Sequence, residues 1–211
     1  MINLYNKDCL EAMREMADNT FDLAIVDPPY GIGDTFISHT TGNKPQKLKR
    51  IHKSMYWDNK IPDLEYFYEL KRVSKKQIIW GANYFNCFSK SGGALIWYKN
   101  KGAPTLSSCE IASVSFQKKV DYIFIQSLGG FCAKEKNIHP TQKPVELYAW
   151  ILSKYAKKED KILDTHIGSG SIAIACHDLG FDLEGYEIDE EYYQGAISRL
   201  KNHQKQLRLF Q

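Results

Sequence analysis

The sequence predicts an α/β fold built on a mostly parallel twisted sheet, with helices on both faces and an antiparallel hairpin at one edge. Two observations lead to this prediction. Short apolar runs alternate with helical segments along the 211 residues, which is the order expected of a parallel sheet. In addition, the run FDLAIV at 21–26 is mostly apolar at consecutive positions, as in strands that are buried on both faces.

The elements of the first half follow from local patterns. A short strand at 3–5 precedes a helix at 9–16, whose apolar face carries Leu10, Met13 and Met16. After the strand at 21–26, side-chain spacing and turn residues predict a helix at 64–73, a strand at 77–80 that ends at Gly81, and a strand at 94–98 that follows a Gly-Gly turn.

The second half continues the alternation. Strands at 112–116 and 122–125 are expected to pair with each other as the hairpin near the sheet edge. The remaining predictions are a strand at 161–164, a helix at 172–179 that Gly180 caps, a strand at 183–188 and a long helix at 190–207. Together the elements predict a single domain over 1–211, in which 31–57 forms a mobile basic loop.

Composition narrows the class of protein. The chain has 28 Lys and Arg against 25 Asp and Glu, so contact with nucleic acid depends on local clusters of basic residues. Its five cysteines include no C-x-x-C pair, which favours reduced thiols over a disulfide framework or a zinc site. No basic leader and no apolar run of membrane-spanning length is present, which predicts a cytoplasmic protein without membrane contact.

The strand at 161–164 leads into a glycine turn, Asp164-Thr165-His166-Ile167-Gly168-Ser169-Gly170. Such a pair of glycines is most often turn geometry alone, but it also lets a ligand approach the backbone at a helix amino terminus. The next strand ends in Glu187-Ile188-Asp189, about twenty positions on, where an acidic residue normally binds ribose hydroxyls. No Gly-Lys-Ser/Thr follows the turn, so a phosphate loop is excluded. A cofactor with a ribose and a carboxylate but no phosphate is S-adenosylmethionine.

The strand at 21–26 ends in Asp27-Pro28-Pro29-Tyr30. The prolines fix the backbone and leave carbonyl groups pointing outward, so that Asp27 and these carbonyls form a set of hydrogen-bond acceptors. A planar amino group needs such acceptors, and Tyr30 adds a flat face on which a base can stack. The alternative is a plain Pro-Pro turn, with Asp27 as a cap and Tyr30 in the core.

Together these segments resemble the amino-group DNA methyltransferases, in which Asp-Pro-Pro-Tyr is the catalytic motif and a Gly-x-Gly turn binds S-adenosylmethionine. Further segments match the family in order: KDCL from Lys7, HPTQKP from His139, and GYEID from Gly185, which Tyr192-Tyr193 follows. The catalytic half comes first, as in the permuted β group. The resemblance implies a Rossmann-like S-adenosylmethionine-dependent methyltransferase fold.

The resemblance also implies roles for these residues. Asp8 and the Cys9 backbone would meet the cofactor's adenine, and Glu187 its ribose hydroxyls. The methionine part would be lined by the glycine turn and the segment before it, namely Asp164, Thr165, His166, Gly168, Ser169 and Gly170, with Thr141, Gln142 and Lys143 at its carboxylate. The family usually has Asp-Pro-Phe where this chain has Asp164-Thr165-His166; His166 either replaces the aromatic contact or only caps the turn. Without the resemblance, 139–144 would be a rigid polar connector.

The motif implies a chemistry that needs no metal and no covalent nucleophile. The exocyclic nitrogen of adenine is a poor nucleophile because its lone pair is delocalised into the ring. If Asp27 and the Pro28 carbonyl accept its two protons, the lone pair becomes available to attack the sulfonium methyl group. The base must leave the duplex to reach this site, and Tyr30 would hold it by stacking.

An aspartate at the first position favours adenine-N6 over cytosine-N4, whose related enzymes more often begin with Ser or Thr. Cytosine-N4 methylation stays open as an alternative, as do methylation of RNA and a cofactor-binding subunit without activity. Intact Asp27-Pro28-Pro29-Tyr30 argues against the inactive subunit.

The expected partner is double-stranded DNA. The basic loop has five cations that are candidates for phosphate contact, Lys44, Lys47, Lys49, Arg50 and Lys53; the alternative is a solvated loop. No insert is long enough for a separate large recognition domain. Base reading therefore falls to the loop at 31–57, to the region at 99–136, or to a second subunit in a homodimer.

Overall fold

The structure, a computed structural model, describes residues 1–32, 58, 60–99, 107–126, 138–139 and 141–206. The described strands are β1 (Ile2–Asn6), β2 (Leu23–Val26), β3 (Gln77–Trp80), β4 (Ala94–Tyr98), β5 (Cys109–Val114), β6 (Val120–Phe124), β7 (Lys161–Asp164) and β8 (Asp182–Glu187). The described helices are α1 (Cys9–Glu15), α2 (Leu64–Val73), α3 (Ala82–Phe85), α4 (Val145–Tyr155), α5 (Ser171–Leu179) and α6 (Glu190–Lys205).

The strands form one sheet in the order β1-β8-β7-β2-β3-β5-β4-β6. Every pairing from β1 to β3 is parallel. β5 runs antiparallel to both of its neighbours, β3 and β4, and β6 is parallel to β4. The predicted α/β fold with a mostly parallel sheet is therefore confirmed.

One predicted pairing is wrong. The sequence indicated a hairpin between the strands at 112–116 and 122–125, but β4 lies between β5 and β6 and pairs with both. The antiparallel pairing near this edge is made by β5 with β3 and β4 instead. β4 lies between β5 and β6 because its apolar residues Leu95 and Trp97 are buried in the core. Strand order depends on such packing rather than on nearness in sequence.

Helices cover both faces of the sheet and bury two apolar clusters. The larger cluster joins the sheet to α4, α5 and α6 and includes Leu147, Ile151 and Leu200. The smaller one joins it to α1 and α2 and includes Met13 and Leu70. Within the described ranges, no helix has the length and hydropathy needed to cross a membrane.

Local sequence fixes the elements that approach the site. Asp8 begins α1, because its Oδ1 accepts hydrogen bonds from the amides of Leu10 and Glu11, as N-cap residues do. Gly170 and Gly180 bound α5 with φ of +74° and +77°, and Gly180 is the C-cap that the sequence predicted. Since β1, β2, β7 and β8 are parallel, their carboxyl ends bring Asp8, Asp27, Asp164 and Glu187 to one edge of the sheet.

Candidate active site

The turn after β2 is held in place by a carboxylate that sequence reasoning did not identify. Asp58 is 4% exposed, and its Oδ1 accepts hydrogen bonds from the backbone amides of Tyr30 at 2.5 Å and Gly31 at 3.0 Å. Burial raises the pKa of Asp58, while the amides favour its anion. The turn that begins at Asp27 is thus fixed at both ends, by β2 and by Asp58.

The ring of Tyr30 packs inside an aromatic group rather than standing free. It stacks on Tyr84 with centroids 4.8 Å apart and an interplanar angle of 15°, and it meets Phe85 edge-on at 5.8 Å. Its hydroxyl donates a hydrogen bond to Oδ1 of Asp27 at 2.5 Å. Tyr84 is 41% exposed, so an aromatic surface continues from the turn after β2 to solvent.

Asp27 also makes an ion pair with Lys143, whose Nζ contacts Oδ2 of the carboxylate. Lys143 is 3% exposed, and its Nζ lies 3.0 Å from Oε2 of Glu110 on β5. The resemblance grouped Lys143 with the cofactor residues, whereas the structure places its ammonium beside Asp27 and Tyr30, which were predicted to be catalytic. Two buried carboxylates attract it there.

Burial dominates the ionisation of this group. It raises the pKa of Asp27, with Lys143 acting in the opposite direction. Burial also opposes the charge of Lys143, but the neighbouring carboxylates of Asp27 and Glu110 raise its pKa overall. Asp27 is therefore a stronger base than an exposed aspartate and still has a cation beside it.

A cleft lies at the carboxyl ends of β1, β7 and β8. It is lined by Asp8, Cys9, Thr165, His166 and Glu187, all predicted as cofactor residues, together with Lys7 and Ile188. Oε2 of Glu187 accepts a hydrogen bond from the Gly168 amide at 2.9 Å and Oε1 accepts one from the Asp189 amide at 3.0 Å. The carboxylate is fixed by these bonds and still has lone pairs for ligand hydroxyls.

Asp164 lies at the end of β7 and is 1% exposed. Its Oδ1 accepts a hydrogen bond from the His166 amide at 3.0 Å, and burial raises its pKa to about 8. A carboxyl in this position would gain from a cationic ligand group such as an amino acid's ammonium. Glu187 in the cleft therefore fits the ribose of a cofactor, and Asp164, which directly precedes the cleft-lining Thr165, fits an ammonium.

His166 is a neutral part of the cleft wall. Burial lowers its pKa to about 4, its Nδ1 pairs with the Thr165 hydroxyl at 2.9 Å, and its ring meets Tyr66 edge-on at 5.5 Å. The Tyr66 hydroxyl pairs in turn with Thr165 at 2.7 Å. Asp164 caps the turn, so His166 is not needed for that role. Because its ring lines the cleft, the prediction that His166 replaces the family's aromatic residue is favoured.

The segment before α4 lies across the mouth of the glycine turn. The ring of His139 stands 3.7 Å from the position that a Cβ on Gly168 would occupy, and its Nδ1 is 3.1 Å from the Thr141 hydroxyl. Gln142 is 2% exposed; its Oε1 accepts a bond from the Ile138 amide, while its Nε2 is buried with no hydrogen-bond partner among the described residues. This amide is a donor that a ligand could satisfy.

Two predicted cofactor residues face α6 instead of the cleft. The side chain of Ser169 is 5% exposed and lies 3.3 Å from Nη1 of Arg199. A Cβ on Gly170 would come within 3.0 Å of Ala196. Their side of the turn packs α6 against the sheet, so any contact with a ligand would come from their backbone.

The five basic loop residues Lys44, Lys47, Lys49, Arg50 and Lys53 lie outside the described residues. Sequence reasoning also missed four described residues of the site: Asp58, Tyr66, Tyr84 and Glu110. Asp58 and Glu110 carry no motif. Tyr66 is an ordinary aromatic position within the predicted helix at 64–73, and Tyr84 is one shortly after the predicted strand at 77–80. Only the tertiary structure brings them to the motif residues.

The fold and the site define a methyltransferase, and comparison with known families gives its class. The chain belongs to the DNA methylase family, because the family model for N6/N4 methyltransferases matches residues 21–198. The predicted resemblance to amino-group DNA methyltransferases is therefore confirmed.

Individual relatives agree with this class. The chain is 24% identical to the Type II methyltransferase M2.DpnII of Streptococcus pneumoniae, over 94% of this chain and 89% of the relative. Among solved structures, the complex of M1.HpyAVI with S-adenosylmethionine (SAM) has a TM-score of 0.64 at 22% identity, covering 95% of this chain and all of the other. The cytosine-N4-specific PvuII DNA methyltransferase has a TM-score of 0.65 at 10% identity, covering all of this chain and 88% of the other.

Proposed function

We propose that this protein transfers a methyl group from SAM to the exocyclic N6 of adenine in double-stranded DNA, after the base has left the duplex. The observation that carries the proposal is the placement of Asp27. This carboxylate directly follows β2, whose neighbour β7 ends at Asp164, the residue before the cleft-lining Thr165 and His166. The acceptor for an amino group and the residues that fit the cofactor thus share one edge of the sheet.

The methyl donor of this family is SAM, whose sulfonium supplies the methyl group when it is bound. Glu187 would bind its ribose hydroxyls, Asp8 and the Cys9 backbone its adenine, and Asp164 its ammonium. The buried Nε2 of Gln142, which has no partner among the described residues, is a candidate donor to its carboxylate, with Thr141 beside it.

The chain's own residues prepare the target nitrogen. Asp27 accepts a hydrogen bond from one N–H of the amino group, and the Pro28 carbonyl accepts one from the other N–H. These two bonds direct the lone pair of the nitrogen toward the methyl group. Because Pro28 and Pro29 restrict the backbone and Asp58 holds the amides of Tyr30 and Gly31, these acceptors are already oriented before the substrate binds. The raised pKa of Asp27 suits it to take the proton that the nitrogen loses after transfer.

The aromatic surface of Tyr30 and Tyr84 would receive the base. Its rings are stacked at 4.8 Å, so a base can stack on Tyr84 where it is exposed, or replace Tyr84 on the face of Tyr30.

Cytosine-N4 methylation is the second candidate. It is favoured by the similarity in fold to the cytosine-N4-specific PvuII enzyme, and the same acceptors would serve the cytosine amino group. Asp27 at the first motif position favours adenine.

The deciding experiment measures methyl transfer from labelled SAM to unmodified duplex DNA, followed by digestion to nucleosides. We expect label in N6-methyl-2′-deoxyadenosine, and a loss of at least about a hundredfold in Asp27→Ala, because the main acceptor is removed. Asp63→Ala is the matched control, since Asp63 is an exposed aspartate that makes no capping bond to α2. Label in N4-methyl-2′-deoxycytidine would select the second candidate. No transfer despite binding of SAM would point to a non-catalytic subunit or to an RNA substrate, and full activity of Asp27→Ala would contradict the assignment of Asp27.

Target recognition extends the proposal in two ways. The basic loop, with Lys44, Lys47, Lys49, Arg50 and Lys53, would contact DNA phosphates. The salt dependence of DNA binding, compared with a variant in which these five residues are neutralised, tests this proposal.

We also propose that two copies of the chain share the reading of the target. The exposed side chains of Val120, Tyr122 and Phe124 on the edge strand β6 support a contact between copies.

A further inference from the structure

A continuous chain of charged groups leads from Asp27 away from the cleft. Lys143 contacts Asp27 and stands 3.0 Å from Oε2 of Glu110. Oε1 of Glu110 accepts a hydrogen bond from Nζ of Lys99 at 2.8 Å. The order is therefore Asp27, Lys143, Glu110, Lys99, with alternating signs and a net charge of zero.

The chain lies largely out of solvent. Side-chain exposure is 17% for Asp27, 3% for Lys143, 23% for Glu110 and 13% for Lys99. Removing charges from water is unfavourable, and only close opposite charges offset that cost. The four charges sum to zero and satisfy this condition. Without Lys99, the other three would leave one negative charge with little access to water.

Strand pairing fixes the outer half of the chain. Glu110 is directly opposite Trp97 in the antiparallel register of β4 and β5, and Lys99 follows β4 by one residue. The Lys99 ammonium lies over the Trp97 ring at 5.3 Å, and the Lys143 ammonium lies 5.3 Å from the Trp80 ring. The aromatic rings favour these positions of the two ammonium groups, Lys143 between the two carboxylates and Lys99 beyond Glu110.

We propose that Glu110 is a positioning residue for methyl transfer, which holds Lys143 from the side opposite Asp27 and so keeps the Asp27 carboxylate available to the substrate's amino group. The proposal rests on the proposed function only for its consequence on transfer. Its electrostatic part concerns the ligand-free protein.

The charge of Glu110 decides whether Lys143 has one anionic partner or two. If Glu110 were neutral, the whole charge of Lys143 would be balanced by Asp27 alone, and the pair would tighten. Asp27 would then bind a proton less readily and would accept less from the amino group. With Glu110 ionised, Lys143 is shared, and Asp27 remains the better base.

Several groups face Asp27 from the elements packed around it, and a titration must separate their effects. They are Tyr30 in its own turn, Asp58, Glu110 on β5, Lys143, Tyr148 on α4 and Asp164 on β7. Among the carboxylates of this set, Glu110 alone shares the Lys143 ammonium with Asp27 at ion-pair distance in the described residues.

The test is the titration of Asp27 in the ligand-free full chain, followed by carbon-13 NMR of labelled aspartate carboxyl groups, with Asp27→Asn used to assign the signal. In Glu110→Gln, which keeps the shape and an acceptor for Lys99, we expect the titration midpoint of Asp27 to move to lower pH. Glu110→Asp, which keeps the charge, should return the midpoint toward that of the wild type. Glu69→Gln is the matched control, because Glu69 is 19% exposed and pairs with Arg72 at 2.6 Å.

A single-turnover assay with DNA and SAM completes the test. We expect the rate of transfer to fall about tenfold in Glu110→Gln, with little change in SAM affinity. An unchanged Asp27 midpoint in folded Glu110→Gln would overturn the proposal, as would a rate loss that Glu69→Gln reproduces at equal loss of melting temperature. A shifted midpoint in a protein that transfers no methyl group would leave the positioning of Lys143 intact and reject the proposed function instead.

Discussion

At the scale of single residues, the site depends on how burial changes ordinary side chains. Asp27 and Asp164 are both aspartates at strand ends, yet their surroundings give them different tasks. Asp27 is compensated by Lys143 and Tyr30, whereas the bond to Asp164 that the structure shows comes from a backbone amide. One carboxylate is therefore prepared as an acceptor within the protein, and the other is left to gain from a cationic ligand.

This difference predicts how Asp164 affects stability. Burial raises the pKa of Asp164 to about 8, from an ordinary value of 3.8. A raised pKa in the folded state means that the carboxyl stabilises the fold at pH values below its unfolded pKa, and that this contribution is lost as pH rises toward the folded pKa. In the ligand-free protein, Asp164→Asn should therefore raise the free energy of unfolding at about pH 7 by on the order of 2 kcal/mol, with no gain near pH 4.

Urea unfolding from about pH 4 to pH 8 measures this effect. Asp63→Asn provides the comparison, since Asp63 is largely exposed. The same Asp164→Asn protein should bind SAM more weakly. A variant that is less stable than the wild type at neutral pH would show that Asp164 is ionised at little cost and would refute the prediction.

At the scale of elements, the sequence predicted most helices and strands because their signals are local. The predicted bounds of α2, β3, β4 and β7 agree with the structure, since each is a short run bounded by turn residues or caps. α3 was not predicted, because four residues are too few for a periodic pattern. The pairing of β5 and β6 was predicted wrongly, because it is decided by what β4 buries.

The turn between β3 and α3 shows how one residue joins two elements. Gly81 has φ of +72°, and a Cβ there would lie 2.3 Å from Cε1 of Tyr30. Gly92 has nearly the same backbone, with φ of +76°, but a Cβ there would meet nothing within 4 Å. The two glycines therefore separate backbone strain from the close approach of the Tyr30 ring.

We predict that Gly92→Ala costs about 1 kcal/mol of stability, from the left-handed backbone alone. Gly81→Ala should cost about 2–4 kcal/mol, because the methyl group must also displace Tyr30 from its place against the turn. Urea unfolding measures both, and methyl transfer should fall only in Gly81→Ala. Equal costs for the two variants would mean that the Tyr30 ring moves freely and is not held by Gly81.

At the scale of the whole molecule, the site depends on parallel strands that are distant in sequence. Asp27 and Lys143 are 116 positions apart, yet they meet because α4 starts at the sheet edge where β2 ends. The same edge brings Asp8 beside Glu187 through the pairing of β1 with β8. The family's motifs lie far apart along the chain and adjoin each other in space.

The proposed homodimer belongs to this scale. If two copies share target reading, sedimentation velocity should give about twice the mass of 24.3 kDa for the free protein, or two copies of the chain for each DNA duplex in the complex. Tyr122→Lys should favour the monomer, because a charge placed on the exposed row of β6 cannot be buried against a second copy; Tyr68→Lys, an exposed tyrosine on α2, is the control. A monomer at all concentrations, with full methyl transfer, would reject the dimer.

The sequence by itself determined the class of this protein. Its signals are three short local features: Asp27-Pro28-Pro29-Tyr30, the glycine turn at 164–170, and Glu187 at the end of a strand. Each of them can be recognised without knowledge of the rest of the chain. The tertiary structure decided the order of β4, β5 and β6, the stacking of Tyr84 on Tyr30, and the contacts of Asp58, Lys143 and Glu110. These depend on which side chains share a buried volume, and the free energy of burying charges and rings is set by neighbours that the sequence places far away.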